Sequence, residues 1–217
     1  MNHELRMAEL LCTRLCHDLT GPIGAVNNGA EFLSEEGFNM QNQAIDLIVS
    51  SAFSAVSRLQ FYRLAYGNVK ESGEANLSDK QKLAADFFAG SKITLDWPDT
   101  ETEASGVSVS LKMSRLIFNL LIMASAVLIR GGVITVRVQQ DNEGKRHLSV
   151  SAKNTHIKWE QEITDILEGR LSTDDLSPKN VQAQLTRYFV DDLGATLLHK
   201  VSEDEVVFEV VQPAPPV

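Results

Sequence analysis

The sequence predicts an α+β protein in which a long antiparallel helical hairpin precedes a domain of helices covering one face of a mixed sheet. Two observations carry this. Apolar residues recur at helical spacing through residues 4–36 and again from Ile45 to Tyr66, while beyond residue 90 short alternating runs suited to strands are interleaved with helical patterns.

The first helix is marked by Met7, Leu11, Leu15, Leu19, Pro22, Val26, Ala30 and Leu33, each three or four residues from the last. Gly37-Phe38-Asn39 breaks the pattern. A second helix then places Ile45, Ile48, Ala52, Ala55, Leu59, Tyr62 and Tyr66 on one stripe, with Gly67 as its C-terminal cap. Two helices alone leave apolar surface uncovered, so the hairpin is expected to pair with a second copy into a four-helix bundle, making the protein a homodimer. The first domain thus spans residues 1–68, and a polar, glycine-containing linker spans 69–76.

In the second domain, residues 77–212, strands are expected at 93–97, 133–139, 147–152, 195–201 and 205–211, and helices at 110–129, 160–167 and 179–192. Asp141-Asn142-Glu143-Gly144 reads as the turn between the second and third strands. Residues 213–217 form a Pro-rich tail.

The chain carries 20 Lys and Arg against 29 Asp and Glu, a net charge of −9 that repels a phosphate backbone and makes nucleic acid an unexpected partner. No stretch approaches the roughly 20 apolar residues of a membrane span and Met1 to Glu9 is too polar for a signal peptide, so a cytoplasmic protein without a membrane partner is expected. Cys12 and Cys16 stand one turn apart before His17, but they match no usual zinc spacing and lack a fourth ligand, so no metal is expected on this chain.

The chemistry concentrates at Cys16-His17-Asp18-Leu19-Thr20-Gly21-Pro22-Ile23. A histidine that accepts a phosphoryl group needs a neutral ring nitrogen aimed at phosphorus, and a neighbouring carboxylate can fix the tautomer or take the proton on the opposite nitrogen; Asp18 is the candidate for that role. Pro22 removes one helical hydrogen bond and is expected to bend the helix. Thr20, Gly21, Gly24 and Asn28 continue the stripe below His17. Each glycine costs a helix interior about 1 kcal/mol relative to alanine, so this face suits the approach of another protein. Arg14, three residues before His17, could meet phosphate or an acidic edge of that partner.

His17-Asp18-Leu19-Thr20-Gly21-Pro22-Ile23 resembles the H-box of sensor histidine kinases, whose first residue is the phosphoacceptor. A closer likeness is to the ChpT-type histidine phosphotransferases of alphaproteobacteria. It rests on Leu15-Cys16-His17-Asp18-Leu19, Pro22-Ile23-Gly24-Ala25-Val26-Asn27-Asn28-Gly29 and Leu59-Gln60-Phe61-Tyr62-Arg63-Leu64-Ala65-Tyr66-Gly67. The resemblance implies that the second domain is a degenerate histidine-kinase ATPase-like α/β sandwich. Leu116-Ile117-Phe118-Asn119-Leu120-Leu121-Ile122-Met123-Ala124 resembles the N-box, with Asn119 at its first asparagine but Met123 at the second, and a thioether is a poor ligand for Mg²⁺. Ala152, Asn154 and His156 stand where kinases carry Asp-x-Gly-x-Gly, and Leu176-Ser177-Pro178-Lys179-Asn180 lacks the second glycine cluster.

The resemblance therefore implies phosphoryl transfer through His17 between receiver-domain aspartates without use of ATP. The donor would be the receiver of a hybrid histidine kinase and the acceptors response regulators, with no cofactor on this chain and Mg²⁺ held by the partner. Arg14, Thr20, Gly21, Gly24 and Asn28 would form the docking face. Gly21 stands where kinases with phosphatase activity carry an amide or hydroxyl, so reversible transfer without assisted hydrolysis is expected, a point that Thr20 keeps open. Two alternatives remain at this stage: a non-catalytic dimeric adaptor for response regulators, and a diverged active histidine kinase.

Overall fold

The computed structural model describes residues 3–34, 41–67, 77–98 and 109–214. The break at Gly37-Phe38-Asn39, the linker at 69–76 and the end of the Pro-rich tail lie outside them. Helices α1 (His3–Ser34) and α2 (Gln41–Tyr66) form the hairpin. They run antiparallel, since Asp18 meets Tyr62 near one end while Gly29 meets Ala44 near the other. A Cβ at Gly29 would stand 2.6 Å from the Ile48 side chain and 3.2 Å from the Ala44 carbonyl, so glycine is what lets the helices approach this closely.

Helix α2 corrects the single-stripe expectation. Ala44, Ser51, Ser57, Phe61, Tyr62 and Ala65 are its buried residues, whereas Ile45, Val49, Phe53, Val56 and Leu59 are exposed. The expected stripe mixes these two sides: Tyr62 is buried, Ile45 and Leu59 are exposed, and Ile48, Ala52, Ala55 and Tyr66 lie between. A helix apolar on both sides has no single period-fitting face, and here one side meets α1 and the second domain while the other meets solvent.

Helix α3 (Leu77–Phe88), absent from the sequence expectations, opens the second domain, and α4 (Leu111–Val127) forms its centre. Between them lies β1 (Ile93–Asp96), followed after α4 by β2 (Gly132–Gln140) and β3 (Arg146–Lys153). Helix α5 (Gln161–Leu167), a single 3₁₀ turn at Thr173–Asp175 and α6 (Val181–Asp192) lead to β4 (Thr196–Val201) and β5 (Glu205–Gln212). The sheet order is β1-β2-β3-β5-β4, with β1 and β2 parallel and every other pair antiparallel. It is the mixed sheet expected, and strand alternation sends Ile134, Val136, Val138, Leu148, Val150, Val206, Phe208 and Val210 to the core.

Local chemistry sets the boundaries. Ser110 caps α4, its hydroxyl accepting from the Met113 N–H at 3.2 Å. Asp141 closes the β2–β3 turn by accepting from the N–H groups of Glu143 and Lys145, both at 2.9 Å, with Gly144 at φ +80°. Helix α4 is apolar almost all round because it is covered by the sheet, by the end of α2 and by α6. Phe61 of α2 joins Phe87 and Phe118 in one aromatic cluster, with ring centroids 3.9 and 4.5 Å away. Met7, Leu10, Leu11 and Leu15 of α1 pack against the same core. No described helix is long and apolar enough to cross a membrane.

Candidate phosphotransfer site

Helix α1 continues without interruption through Pro22. Five residues earlier, His17 projects into solvent with 88% of its side chain exposed. Its Nδ1 lies 3.2 Å from Oδ1 of Asp18. A carboxylate can only accept, so Nδ1 carries the proton in this contact, and in the neutral ring that leaves the lone pair on Nε2. The other Asp18 oxygen accepts from the Tyr62 hydroxyl at 2.5 Å, and Arg14 Nε stands 4.0 Å from it.

The expected docking residues divide into two groups. Thr20, Gly21 and Asn28 are exposed and Gly24 is half-buried on the His17 side of α1, and a Cβ at Gly21 or Gly24 would meet nothing within 4 Å. Nothing within the chain therefore demands glycine at either position. Arg14 points toward the second domain, with only 18% of its side chain exposed. The Thr20 hydroxyl donates to the Cys16 carbonyl at 2.6 Å and so is tied to its own helix. Cys12 and Cys16 are free thiols exposed on α1, and among the described residues no group of three or more His, Cys, Asp or Glu side chains could hold a metal ion.

Behind His17 a polar path enters the protein. Tyr62 stacks on Tyr66, one turn further along α2, at 5.5 Å and 8°. The Tyr66 hydroxyl donates to Gln182 Oε1 at 2.7 Å, and Gln182 Nε2 donates to Asn119 Oδ1 at 2.6 Å. Asn119 Nδ2 then donates to the Ala65 carbonyl at 2.9 Å and the Arg115 carbonyl at 2.7 Å, closing the path on α2. Burial, reinforced by the hydrogen bond to Asp18 and its negative charge, pushes the Tyr62 phenol far above the ordinary tyrosine range. Burial also raises Tyr66 to about 12, opposed by Arg14 and helped by Asp18. Both phenols stay protonated at neutral pH and remain dependable donors.

In the sequence Tyr62 and Tyr66 stand out only as members of the helical stripe and of a resembling block, and nothing singles out Gln182. The available signal was two tyrosines one turn apart at the end of an apolar helix, since a buried phenol requires a polar partner.

A cleft of about 530 Å³ opens beside His17, between α1 and the ends of α4, α5 and α6, with Arg14, Asp18, Met123, Trp159, Lys179 and Gln182 in its wall. Of the two N-box positions considered above, Met123 stands in its wall and Asn119 does not. Asn119 is fully buried with its amide oxygen and nitrogen engaged. Ala152 is fully buried within β3. Asn154 makes no glycine-like turn: no described residue other than glycine has positive φ, and its Oδ1 accepts from the Thr155 N–H at 2.6 Å. Before α6, Asn180 closes the loop by accepting from the Ser177 N–H at 2.7 Å and donating to Glu162 Oε2 and the Asp175 carbonyl.

Comparison with known proteins agrees with this architecture. The family model described as the histidine phosphotransferase C-terminal domain matches residues 77–205, more than half of the chain. A protein phosphotransferase ChpT from Brucella abortus (strain 2308) is 28% identical over 205 residues, which cover 94% of either chain. The 1.7 Å structure of a bacterial phosphotransferase superposes with a TM-score of 0.78 at 27% identity, covering 95% of this chain and 96% of that one. The histidine kinase domain of the Erythrobacter litoralis EL346 blue-light activated kinase, at a TM-score of 0.47 and 15% identity over 89% of this chain and 95% of its own, is too distant to carry weight. With its helical hairpin, its mixed five-stranded sheet and this family match, the chain belongs to the histidine phosphotransferase family and is of the ChpT type.

Proposed function

We propose that this protein is a phosphorelay intermediate that receives a phosphoryl group on His17 from one receiver-domain aspartate and returns it to another, without using ATP. The observation that carries this reading is the state of His17: exposed, with Nδ1 turned to Asp18 and Nε2 directed away from that contact. In the forward step the Nε2 lone pair attacks phosphorus, the bond between phosphorus and the aspartyl oxygen breaks, and the receiver's carboxylate leaves. The ring becomes a phosphoimidazolium whose Nδ1–H is stabilised by Asp18, and reversal delivers the group to the next receiver. Mg²⁺ on the receiver supplies the charge neutralisation, so positioning is the task left to this chain.

The relative's name, a protein phosphotransferase, supports proteins rather than small molecules as donor and acceptor. Thr20, Gly21, Gly24 and Asn28 form the docking face, with Pro22 shaping the helix below His17 and Arg14 acting from the cleft. The engaged amide of Asn119, the Met123 thioether and the loop closed by Asn180 support a domain that works without nucleotide. Residues 1–68, 69–76 and 77–212 serve as transfer domain, linker and supporting domain. A relay protein shares the compartment of its receivers, which places its work in the cytoplasm.

The exposed row Ile45, Val49, Phe53, Val56 and Leu59 supports a homodimer, since a second hairpin laid on it would complete a four-helix bundle. Val49→Asp combined with Leu59→Asp should yield monomers in sedimentation, and a double variant that sediments like wild type would exclude this row as the interface.

The functional test mixes the protein with a phosphorylated receiver, and separately with labelled ATP and Mg²⁺. Label should pass from the receiver to wild type and not to His17→Ala. Label taken from ATP would mean a kinase, and none from several cognate receivers would mean an adaptor.

A further inference from the structure

We infer that Tyr62 is a positioning residue for phosphoryl transfer: its hydroxyl holds Asp18 in the orientation that keeps the proton of His17 on Nδ1 and the lone pair on Nε2. The inference rests on the proposed role of His17 and adds to it a residue 44 positions beyond Asp18 in the sequence.

The geometry is a three-member chain. Tyr62 Oη donates to one Asp18 oxygen at 2.5 Å, and the other oxygen accepts from His17 Nδ1 at 3.2 Å. His17 and Asp18 are sequence neighbours on a helix, so their side chains leave the axis about 100° apart and nothing in the helix itself holds them together. From outside α1, the carboxylate is fixed by Tyr62. Without that hydroxyl, Asp18 can turn to Arg14, whose Nε is 4.0 Å away, or to water, since a quarter of its side chain is exposed. The imidazole would then lose its acceptor, and a free neutral imidazole favours the proton on Nε2, where it occupies the lone pair needed to attack phosphorus.

Tyr62 is itself held firmly. It is 5% exposed, stacks on Tyr66, and meets Phe61 and Phe87 edge to face at 6.0 and 5.9 Å. Because Tyr66 is bonded through Gln182 to Asn119, the second domain braces the tyrosine that braces Asp18. The cleft beside His17 therefore has a reason to contain Gln182 besides any ligand.

The test joins a double-mutant cycle to the spectrum of the histidine ring. Tyr62→Phe keeps the ring packing and removes the hydroxyl; Asp18→Ala removes the intermediary. In ¹⁵N spectra of ring-labelled protein, wild-type His17 should be mainly the Nδ1–H tautomer, and Tyr62→Phe should move it toward Nε2–H. Transfer from a phosphorylated receiver should slow about tenfold, the order expected for the net worth of one hydrogen bond. In the Asp18→Ala background, Tyr62→Phe should change neither readout further, because the hydroxyl acts only through Asp18. Ser57→Ala, which also removes a buried hydroxyl from α2 but lies outside this path, should leave the tautomer as in wild type and so controls for loosened packing.

A wild-type spectrum in Tyr62→Phe, or rate losses that multiply in the double variant, would overturn the inference while leaving His17 as phosphoacceptor. If wild type accepted no label and yet showed the expected tautomer shift on Tyr62→Phe, the relay reading would fall and the positioning role would stand.

Discussion

His17 and Asn119 end the same polar path and face opposite surroundings. His17 is 88% exposed and makes one hydrogen bond, to its neighbour Asp18, while Asn119 is fully buried and makes three, to Ala65, Arg115 and Gln182. The difference lies in spare capacity. A group that must form and break a bond to phosphorus needs a free lone pair and access, whereas a buried amide is held by the cost of leaving its partners unsatisfied. His17 can therefore be removed at little structural cost, and Asn119 cannot.

The largest separation should come from His17→Ala, which ought to abolish receiver-derived label while changing the urea-unfolding free energy by no more than about 0.5 kcal/mol, as for other exposed side chains. A large loss of stability would mean that His17 also has a structural role. Asn119→Ala should do the reverse, destabilising the protein by roughly 2–4 kcal/mol because Gln182 and the Ala65 carbonyl lose buried partners. Chemical denaturation checks this, and a loss below about 0.5 kcal/mol would refute the bracing role of the path.

A smaller effect follows from the tyrosines. Folding raises the Tyr66 phenol from the ordinary 10.0 to about 12 and Tyr62 further still. The folded state thus holds protons that the unfolded chain releases, so this contribution is fully present below pH 10 and is lost as the pH climbs through 12. The urea midpoint should begin to fall above about pH 10, and Tyr66→Phe should reduce that fall by an amount on the order of 1–2 kcal/mol.

Smallest in stability, Gly24→Ala should strengthen α1 by about 0.5–1 kcal/mol, since the added methyl meets nothing in the chain. The same change should weaken receiver transfer, because the methyl would enter the docking space. A variant both more stable and equally active would remove Gly24 from that face.

Much of the fold could be read from local pattern. The alternation of Ile134, Val136 and Val138 and the Asp141 to Gly144 turn defined β2 and β3 to within a residue or two, because each signal is contained in a short segment. Helix α3 escaped notice although Leu77, Ala84 and Phe88 are helically spaced, since Lys80 and Gln81 on its buried side interrupt the apolar pattern. At the site, His17 and Asp18 are adjacent and were found together. The Tyr66–Gln182 bond spans 116 positions, and no periodicity within either segment encodes such a pairing.

The Tyr66, Gln182 and Asn119 contacts also restrict how such proteins can be recombined. The proposed linker, residues 69–76, looks like a natural place to join the hairpin of one relative to the sheet domain of another, but the two parts share a lock with one tooth on α2 and two on the sheet domain. A chimera that brings a different residue to any of the three positions inherits a buried amide or phenol without its counterpart. The exchangeable unit is therefore the hairpin together with the three matched side chains, and a graft that transfers them as a set should assemble where a cut at the linker alone does not.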